Sequence, residues 1–361
     1  MKLKYLFSII IALALVMVIL FVSIKGQDTV KVGAVFHLTG SGSFWGETEK
    51  NAALLAVDEI NLSGGINGKP LELVVEDSQT DFTQTTKAFK KLIELDELDL
   101  IVGPTWFGQV VSPIAEETKT TIISQSAGVV PMPSYYFFTV WPTESGETKA
   151  LADYFQDQNV GEVLIVYSLN DWSESITKNF EKFAKEKEIK IVEKIATAPD
   201  EVDFKTVVQK IKQISPEAVY APLAFYPNFG EFVKQYKQAG VNIPLYSSTN
   251  TENPVLKELF SEIEGIIYPY PKKSSDEQKF INKYLDKFGN YPAPSAAHAY
   301  DSIYLAKLAL ENEDTNYAKF LHDISYNGIS NDNIQFDENG RITEKEHIMK
   351  IVTKEGFEEL N

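Results

Sequence analysis

Short runs rich in Val and Ile alternate with amphipathic segments along residues 30–124. "VKVGAVF" (30–36) and "LELVVED" (71–77) are typical of strands that a sheet buries on both faces. Between them, apolar residues at positions 54, 55, 57 and 60 recur at helical spacing and predict a helix from about Glu47 to Leu62. The pattern is therefore strand, helix, strand, helix.

The same alternation starts again at "EVLIVYS" (162–168) and continues to "NPVLKELF" (253–260). Repeated strand–helix units predict parallel sheets that carry helices on their faces and are connected by right-handed crossovers. The predicted fold class is α/β, with two Rossmann-like lobes joined by a hinge of several short strands. A cleft is expected between the lobes.

Each predicted lobe is built from two separate stretches of the chain. The halves meet near Trp141–Pro142, and "YPYPKK" (268–273) marks a second crossing. Helices after Asp276 are expected to return to the first lobe, and the strand-like "NIQFDENG" and "HIMKIV" to the second. The predicted division is an anchor or signal segment (1–27), lobe 1 (28–141 plus 272–330) and lobe 2 (142–271 plus 331–361).

The N-terminus carries a membrane-type segment. Twenty residues without charge lie between Lys4 and Lys25, enough for a helix to cross a bilayer. The positive-inside rule keeps Lys2 and Lys4 in the cytoplasm and exports the remainder. A cleaved signal peptide is the alternative, although the run is long and no clear cleavage site follows. The body is extracytoplasmic in either case, tethered or released.

Composition narrows the classes of function. The 361 residues are 44% apolar and suffice for two cores, and the net charge is −17. That acidity argues against nucleic acid as a partner. The chain has no cysteine, and its four histidines are scattered without metal-ligand spacing. We therefore predict no metal and no cofactor.

The loop "HLTGSGSFWG" (37–46) raises the question of a nucleotide site. A dinucleotide fingerprint needs G-x-G-x-x-G, whereas Gly40, Gly42 and Gly46 have one residue too many between the last two. No nucleophile elbow is present either. A nucleotide-binding enzyme using this loop is thus a minor alternative, and we predict no enzyme activity.

Several stretches resemble one family. "GETEKNAALLAVDEINLSGGINGKPLELVVEDSQTD" (46–81), "IVGP" (101–104) and "AHAYDSIYLAKLAL" (297–310) are similar to segments of type I periplasmic binding proteins, the leucine/isoleucine/valine-binding group of ABC transporters. The similarity extends from about Val30 to Val352. It implies two lobes that close about a hinge on a small-molecule solute and deliver that solute to ABC permease subunits in the membrane.

The resemblance also implies ligand-binding positions in the first lobe. Trp45 matches an aromatic residue that packs on the ligand, with ordinary packing over the helix start as the alternative. In "GPTWFGQ" (103–109) the family presents a Ser, and here Phe107 or Gly108 occupies that position beside Trp106. Ser126 matches a backbone carbonyl position, and Gly128 replaces a Thr. The Ser126 hydroxyl and the Gly128 N–H are expected donors.

In the second lobe, Trp172 stands where many relatives have Tyr, and Phe225 and Tyr226 match a Tyr pair. Thr249 occupies the position where amino-acid binders carry an acid, with Glu252 as a substitute if the alignment shifts by a few residues. A buried ammonium without a carboxylate is costly, which weakens the amino-acid assignment.

The sequence therefore predicts an extracytoplasmic solute-binding protein of a branched-chain amino acid-type importer. Its ligand is a small amino acid, an amide, or an aromatic or aliphatic carboxylate. A ligand-sensing receptor ectodomain with the same fold is the alternative within this class.

Overall fold

A computed structural model of the chain describes residues 28–128, 132–272, 274–313, 315–342 and 345–360. The predicted anchor or signal segment, residues 1–27, lies outside these ranges. Over the described ranges, no helix combines the length and apolar character that a membrane crossing requires.

The first lobe is built on a parallel sheet flanked by helices. Its strands and helices are β1 (Val30–Phe36), α1 (Ser43–Leu62), β2 (Leu71–Asp77), α2 (Phe82–Glu94), β3 (Leu100–Val102), α3 (Gly108–Thr118), β4 (Thr121–Ser124) and β5 (Phe137–Thr139). The strand order is β2-β1-β3-β4-β5. Strands β1, β3, β4 and β5 are mostly or wholly buried because helices cover both sheet faces, whereas the edge strand β2 is mostly half-buried.

The second lobe repeats this plan around a larger sheet. Its elements are α4 (Glu144–Asp157), β6 (Glu162–Ser168), α5 (Asp171–Glu186), β7 (Lys190–Thr197), α6 (Lys205–Ile214), β8 (Ala218–Tyr220), α7 (Tyr226–Gln238), β9 (Leu245–Tyr246), α8 (Pro254–Leu259), β10 (Ile267–Pro271), β11 (His347–Val352) and β12 (Phe357–Glu359). The order is β12-β11-β10-β9-β8-β6-β7, and only the pairings of β11 are antiparallel.

Three later helices pack on the first lobe: α9 (Glu277–Phe288), α10 (Ala296–Glu311) and α11 (Tyr317–Asp323). Ala299 and Ile303 of α10 share one buried core with Val32 of β1 and Ala52 of α1. The α/β fold with two parallel-sheet lobes, predicted from the alternating pattern, is confirmed.

One segment lies elsewhere than the sequence suggested. "NIQFDENG" was expected in the second lobe, but Ile334 and Phe336 are buried in the first lobe's core, where the Phe336 ring lies 5.0 Å from that of Phe138. Gly340 O also accepts the Thr139 N–H (2.8 Å). Only "HIMKIV", which forms β11, joins the second sheet. The chain therefore crosses to the second lobe after Ile342.

Candidate ligand-binding site between the lobes

A cavity of about 340 Å³ lies between the two lobes. Each lining residue follows the carboxyl end of a parallel strand, the edge where open α/β sheets bind ligands. The first lobe contributes the segments after β1 to β5, and the second lobe those after β6, β8 and β9. The lining residues are Trp45, Phe82, Trp106, Phe107, Gln109, Ser126, Ala127, Gly128, Trp141, Leu169, Asn170, Asp171, Trp172, Ala224, Phe225 and Asn250.

Aromatic rings dominate this wall. All four tryptophans of the chain line the cavity, together with three phenylalanines. The Trp45 ring lies 6.2 Å from Trp141 and 6.1 Å from Trp106. Trp106 in turn lies 6.1 Å from Phe225 of the second lobe. The rings therefore form a continuous series across the cleft, suited to an apolar or planar solute.

The glycine loop at 37–46 does not form a phosphate cradle. The Gly42 N–H donates to Thr80 Oγ1 (3.0 Å), and the Trp45 and Gly46 N–H groups bond to Gly42 O. A Cβ on Gly42 would come within 3.0 Å of both the His37 and Trp106 side chains. The glycines are thus needed for close packing, and this helix start is occupied by protein groups.

Phe107 has an unusual backbone. Its φ of 61° and ψ of 35° place it in the left-handed region as the residue that caps α3, a conformation that costs a non-glycine residue about 1 kcal/mol. Its ring packs 4.3 Å from Phe82 at the cavity. Gly108 begins α3 and is not among the lining residues. No acidic residue stands in the first turn of α3, whose positive end favours an anion.

The hydrogen-bond donors of the wall segment at 126–128 are already bonded to other groups of the protein. Ser126 Oγ contacts Glu49 Oε1 (2.7 Å) and Thr105 O, so its one hydrogen is already donated within the protein. The Gly128 N–H bonds to Ser126 O (3.1 Å). Both residues line the cavity, but the donors expected of them are not free. Recognition of polar ligand atoms must therefore involve other groups.

In the second lobe, Trp172 and Phe225 line the cavity as the sequence suggested. The side chain of Tyr226 lies outside the described part of the structure. Asn170 caps α5 by accepting the Ser173 N–H (2.9 Å), while its buried Nδ2 has no hydrogen-bond partner among the described residues. That amide nitrogen is available to an acceptor atom of a ligand.

The acid expected near Thr249 is not at the cavity. The Thr249 N–H donates to Glu147 Oε1 (2.7 Å), its hydroxyl donates to Pro269 O, and the adjacent Asn250 lines the cavity instead. Glu252 is buried, forms an ion pair with Lys350 and accepts the Tyr268 hydroxyl (2.9 Å). Neither Thr249 nor Glu252 is placed to receive a ligand ammonium.

Several lining residues were missed by sequence reasoning. Gln109 and Asp171 are among them, and their side chains hydrogen-bond to each other across the cleft. Phe82, Trp141, Asn170 and Asn250 are the other aromatic and amide residues that were missed. Each follows the carboxyl end of a strand, so the general rule for open sheets contained a signal that could have found them.

The described residues that line the cavity include an acidic side chain but no basic one. Of the described residues that line it, none is Lys, Arg or His, and Asp171 is the one with a carboxylate. Elsewhere in the described ranges, no group of three or more His, Asp or Glu residues is arranged to hold a metal ion.

Two α/β lobes with a ring-lined cavity between them define a two-lobed ligand-binding protein. Comparison with known sequences agrees, since the family described as "Periplasmic binding protein" matches residues 29–356. The chain belongs to this family.

The relatives include amino-acid-binding proteins from several bacteria. The chain is 22% identical over 262 residues to the leucine-, isoleucine-, valine-, threonine- and alanine-binding protein of Pseudomonas aeruginosa, covering 70% of this chain and 69% of that protein. It is 23% identical over 252 residues to the Leu/Ile/Val-binding protein of Escherichia coli K12, covering 68% of each.

Solved structures show the same fold. A branched-chain amino acid transporter substrate binding protein from Streptococcus pneumoniae, in complex with isoleucine, superposes with a TM-score of 0.82 at 22% identity, covering 92% of this chain and 99% of that one. A solute binding protein from R. palustris in complex with benzoate gives 0.82 at 17% identity, covering 92% and 96%.

Proposed function

We propose that this protein is the extracytoplasmic solute-binding component of an ABC importer and captures one small solute in the interlobe cavity. The observation that carries this proposal is the ring-lined cavity itself, with aromatic side chains from both lobes. A solute that contacts both walls stabilises the closed arrangement of the lobes, which is the recurrent transition of this architecture.

The solute we propose is a small amino acid, an amide, or an aromatic or aliphatic carboxylate. The cavity volume of about 340 Å³ suits a molecule of this size. Relatives of the chain are named for leucine, isoleucine and valine, and two proteins of the same fold were solved with benzoate and with 3,4-dihydroxybenzoic acid. Both kinds of ligand are compatible with a mostly aromatic wall.

The partners follow from this role. We propose that the closed form docks on permease subunits, and that residues 1–27 tether the protein to the membrane or direct its export. We propose no catalysis, because the loop that resembled a phosphate site uses its N–H groups within the protein.

Tryptophan fluorescence of the purified full-length chain in detergent tests the proposal, because every tryptophan lines the cavity. We expect at least one amino acid, amide or small acid to change the emission and raise the thermal midpoint, since binding to the folded state alone stabilises it. Stabilisation by NAD or ATP, with none by these solutes, would refute the proposal. Loss of solute uptake on gene deletion supports import, and unchanged uptake supports sensing.

A further inference from the structure

The chain passes between the lobes three times: after β5, after β10 and before β11. The second and third passages are bonded to one short loop of the first lobe, residues 328–330. Ser274, which follows β10, donates its hydroxyl hydrogen to Ile329 O. Lys345, which precedes β11, donates from Nζ to Ser330 O. This loop therefore attaches two of the three passages to the first lobe.

A buried carboxylate holds the 328–330 loop in place. Asp301 lies on α10 with no exposed surface. Its Oδ1 accepts the Ile329 N–H (2.8 Å), and its Oδ2 accepts the Ser330 N–H (2.7 Å) and the Ser330 hydroxyl (2.6 Å). A Cβ on Gly328 would lie 2.5 Å from the same Oδ2, so the loop packs closely on the carboxylate. The two residues that bind the passages are thus the two residues that Asp301 fixes.

The passages are also joined to one another. The Lys272 N–H donates to Glu346 O (2.9 Å), which links the second passage to the third. His347 Nδ1 donates to Lys345 O (2.9 Å), and its ring lies against α4, because a Cβ on Gly146 would lie 2.6 Å from His347 Cε1. The helix α4 begins just after the first passage. A displacement of the loop that Asp301 holds would therefore be transmitted to all three passages.

The lobes touch across the cleft in this structure, and all the bonds of Asp301 are made in that arrangement. The rings of Trp106 and Phe225 lie 6.1 Å apart, and Gln109 is hydrogen-bonded to Asp171 of the other lobe. Bonds that are weaker when the lobes separate favour closure. Because a solute binds between closed lobes, its apparent affinity rises with the fraction of protein that is closed.

Two groups outside α10 act electrostatically with Asp301. Burial raises the pKa of Asp301 to about 6, while its hydrogen bonds and the charge of Lys345 oppose that rise. Burial and the carboxylate raise the pKa of Tyr326, which stays neutral. On α10 itself, burial lowers the pKa of His298 to about 3. The carboxylates and the imidazole that α1 and α11 bring toward α10 bond elsewhere: Glu49 to Ser295, Glu59 to Tyr300 and His322 to Tyr135 O.

These charges set the direction of a pH effect. The first lobe itself buries Asp301, so this burial persists when the lobes separate. Lys345 belongs to the third passage and moves away from the carboxylate if that passage shifts. Loss of the Lys345 charge raises the pKa of Asp301 further, so the open arrangement binds the proton more tightly than the closed one. Acid should therefore favour opening.

We propose that Asp301 is a positioning residue for solute capture: its carboxylate holds the 328–330 loop against the second and third passages and so favours closure of the lobes. Protonation turns one carboxyl oxygen into a donor, so at least one of the three bonds from the loop is lost or reversed, and the attraction to Lys345 disappears. This inference rests on the proposed function for its consequence, a solute affinity that falls in acid. The position of the lobes is measurable without any solute.

The distance between the lobes tests the inference on the full-length protein. The chain has no cysteine, so Leu62→Cys in the first lobe and Val202→Cys in the second, both at exposed positions, introduce two spin-label sites. Double electron–electron resonance then gives the ratio of closed to open protein without solute. We expect this ratio to fall roughly 3- to 10-fold between about pH 7.5 and about pH 5, since one unit of pKa difference supplies a factor of ten.

Three variants in the labelled protein identify the residue. Asp301→Asn keeps the shape but cannot be ionised, so it should be as open at about pH 7.5 as the native protein is at about pH 5, with no pH step. Ser330→Ala removes one bond and keeps the charge, so it should lower the ratio and retain the step. Ser302→Ala is the matched control, because Ser302 is equally buried on α10 and its hydroxyl bonds to His298 O (2.8 Å). It should behave like the native protein.

The outcomes separate this inference from solute capture. A native ratio that is the same at both pH values overturns the inference, and so does an undiminished step in Asp301→Asn or an equal opening in Ser302→Ala. Fluorescence titration with leucine and with benzoate should show affinities that weaken by the same factor as the ratio. If these and a wider panel of small solutes do not bind while the native pH step is present, solute capture fails and the role of Asp301 in closure stands. The thermal midpoint shows whether each variant is folded.

Discussion

Glu49 ties the cavity wall to the rest of the first lobe. It lies on α1 with no exposed surface, and its carboxylate accepts hydrogen bonds from Ser126 Oγ (2.7 Å), Gln125 Nε2 (2.6 Å) and Ser295 Oγ (2.5 Å). These bonds join the wall segment at 125–128 to α1 and to the start of α10. Glu49→Ala should therefore both destabilise the fold and loosen the wall.

The size of the stability loss in Glu49→Ala depends on whether each hydrogen-bond donor can find another acceptor once the carboxylate is removed. The Ser126 hydroxyl can turn fully to Thr105 O, which it already contacts. The Gln125 amide loses its acceptor, and an unsatisfied buried donor costs about 1–3 kcal/mol, with roughly 1 kcal/mol more for each remaining bond. Burial raises the pKa of Glu49, so its removal recovers part of this cost. We expect a net loss of about 2–4 kcal/mol in the free energy of unfolding.

Urea unfolding, followed by tryptophan fluorescence and circular dichroism, measures this loss. Glu47→Ala is the control, because Glu47 is exposed on the same helix and should change stability by no more than about 0.5 kcal/mol. Glu49→Gln keeps the shape and should lie between the two. If Glu49→Ala unfolds within about 0.5 kcal/mol of the native protein, the hydrogen-bond argument is wrong.

Three further changes are predicted. Trp172→Ala should weaken solute binding about tenfold or more while moving the solute-free thermal midpoint little, since Trp172 lines the cavity and is only half-buried; an equal loss of stability with and without solute would place it in the core instead. Gly46→Ala should cost about 1–3 kcal/mol in urea unfolding, because its Cβ would overlap the His37 backbone, whereas Gly356→Ala, which meets nothing within 4 Å, should be nearly neutral. Burial raises the pKa of Glu147 from 4.5 to about 8, so the folded state binds the Glu147 proton more tightly than the unfolded state does. The stability that this protonation contributes is lost as pH rises from 4.5 to 8. Glu147→Gln should therefore gain up to a few kcal/mol relative to the native protein across that window, and a pH-independent difference would contradict this.

Much of the site could be predicted because its location depends on chain order. Trp45, Trp106 and Trp172 each stand just after a strand, and the structure brings all three to one cavity. Trp141 was read only as the junction between lobes, although it follows β5 and faces the same cavity. The position of a residue relative to the end of a strand depends only on nearby residues, so it can be predicted from the sequence.

Which polar groups are free to contact a ligand was harder to predict from the sequence. Ser126 looked like a free donor, yet its hydroxyl is used by Glu49, which lies 77 positions away in the chain. Thr249 and Glu252 stood near the expected acid position, but their side chains turn into the second lobe. Which donor or acceptor is free depends on partners that fold in from distant segments.

The sequence by itself determined the α/β class, the two-lobed plan and the edge of the sheets where a ligand binds, because hydrophobic periodicity and strand order are local properties. The tertiary structure alone decided which polar groups are occupied and which charges face the cavity. It pairs Glu252 with Lys350, bonds Glu147 to Thr249 and leaves the Glu144 oxygen without a partner behind Gly128. Hydrogen-bond satisfaction is a property of three-dimensional neighbours, and no spacing along the chain encodes it.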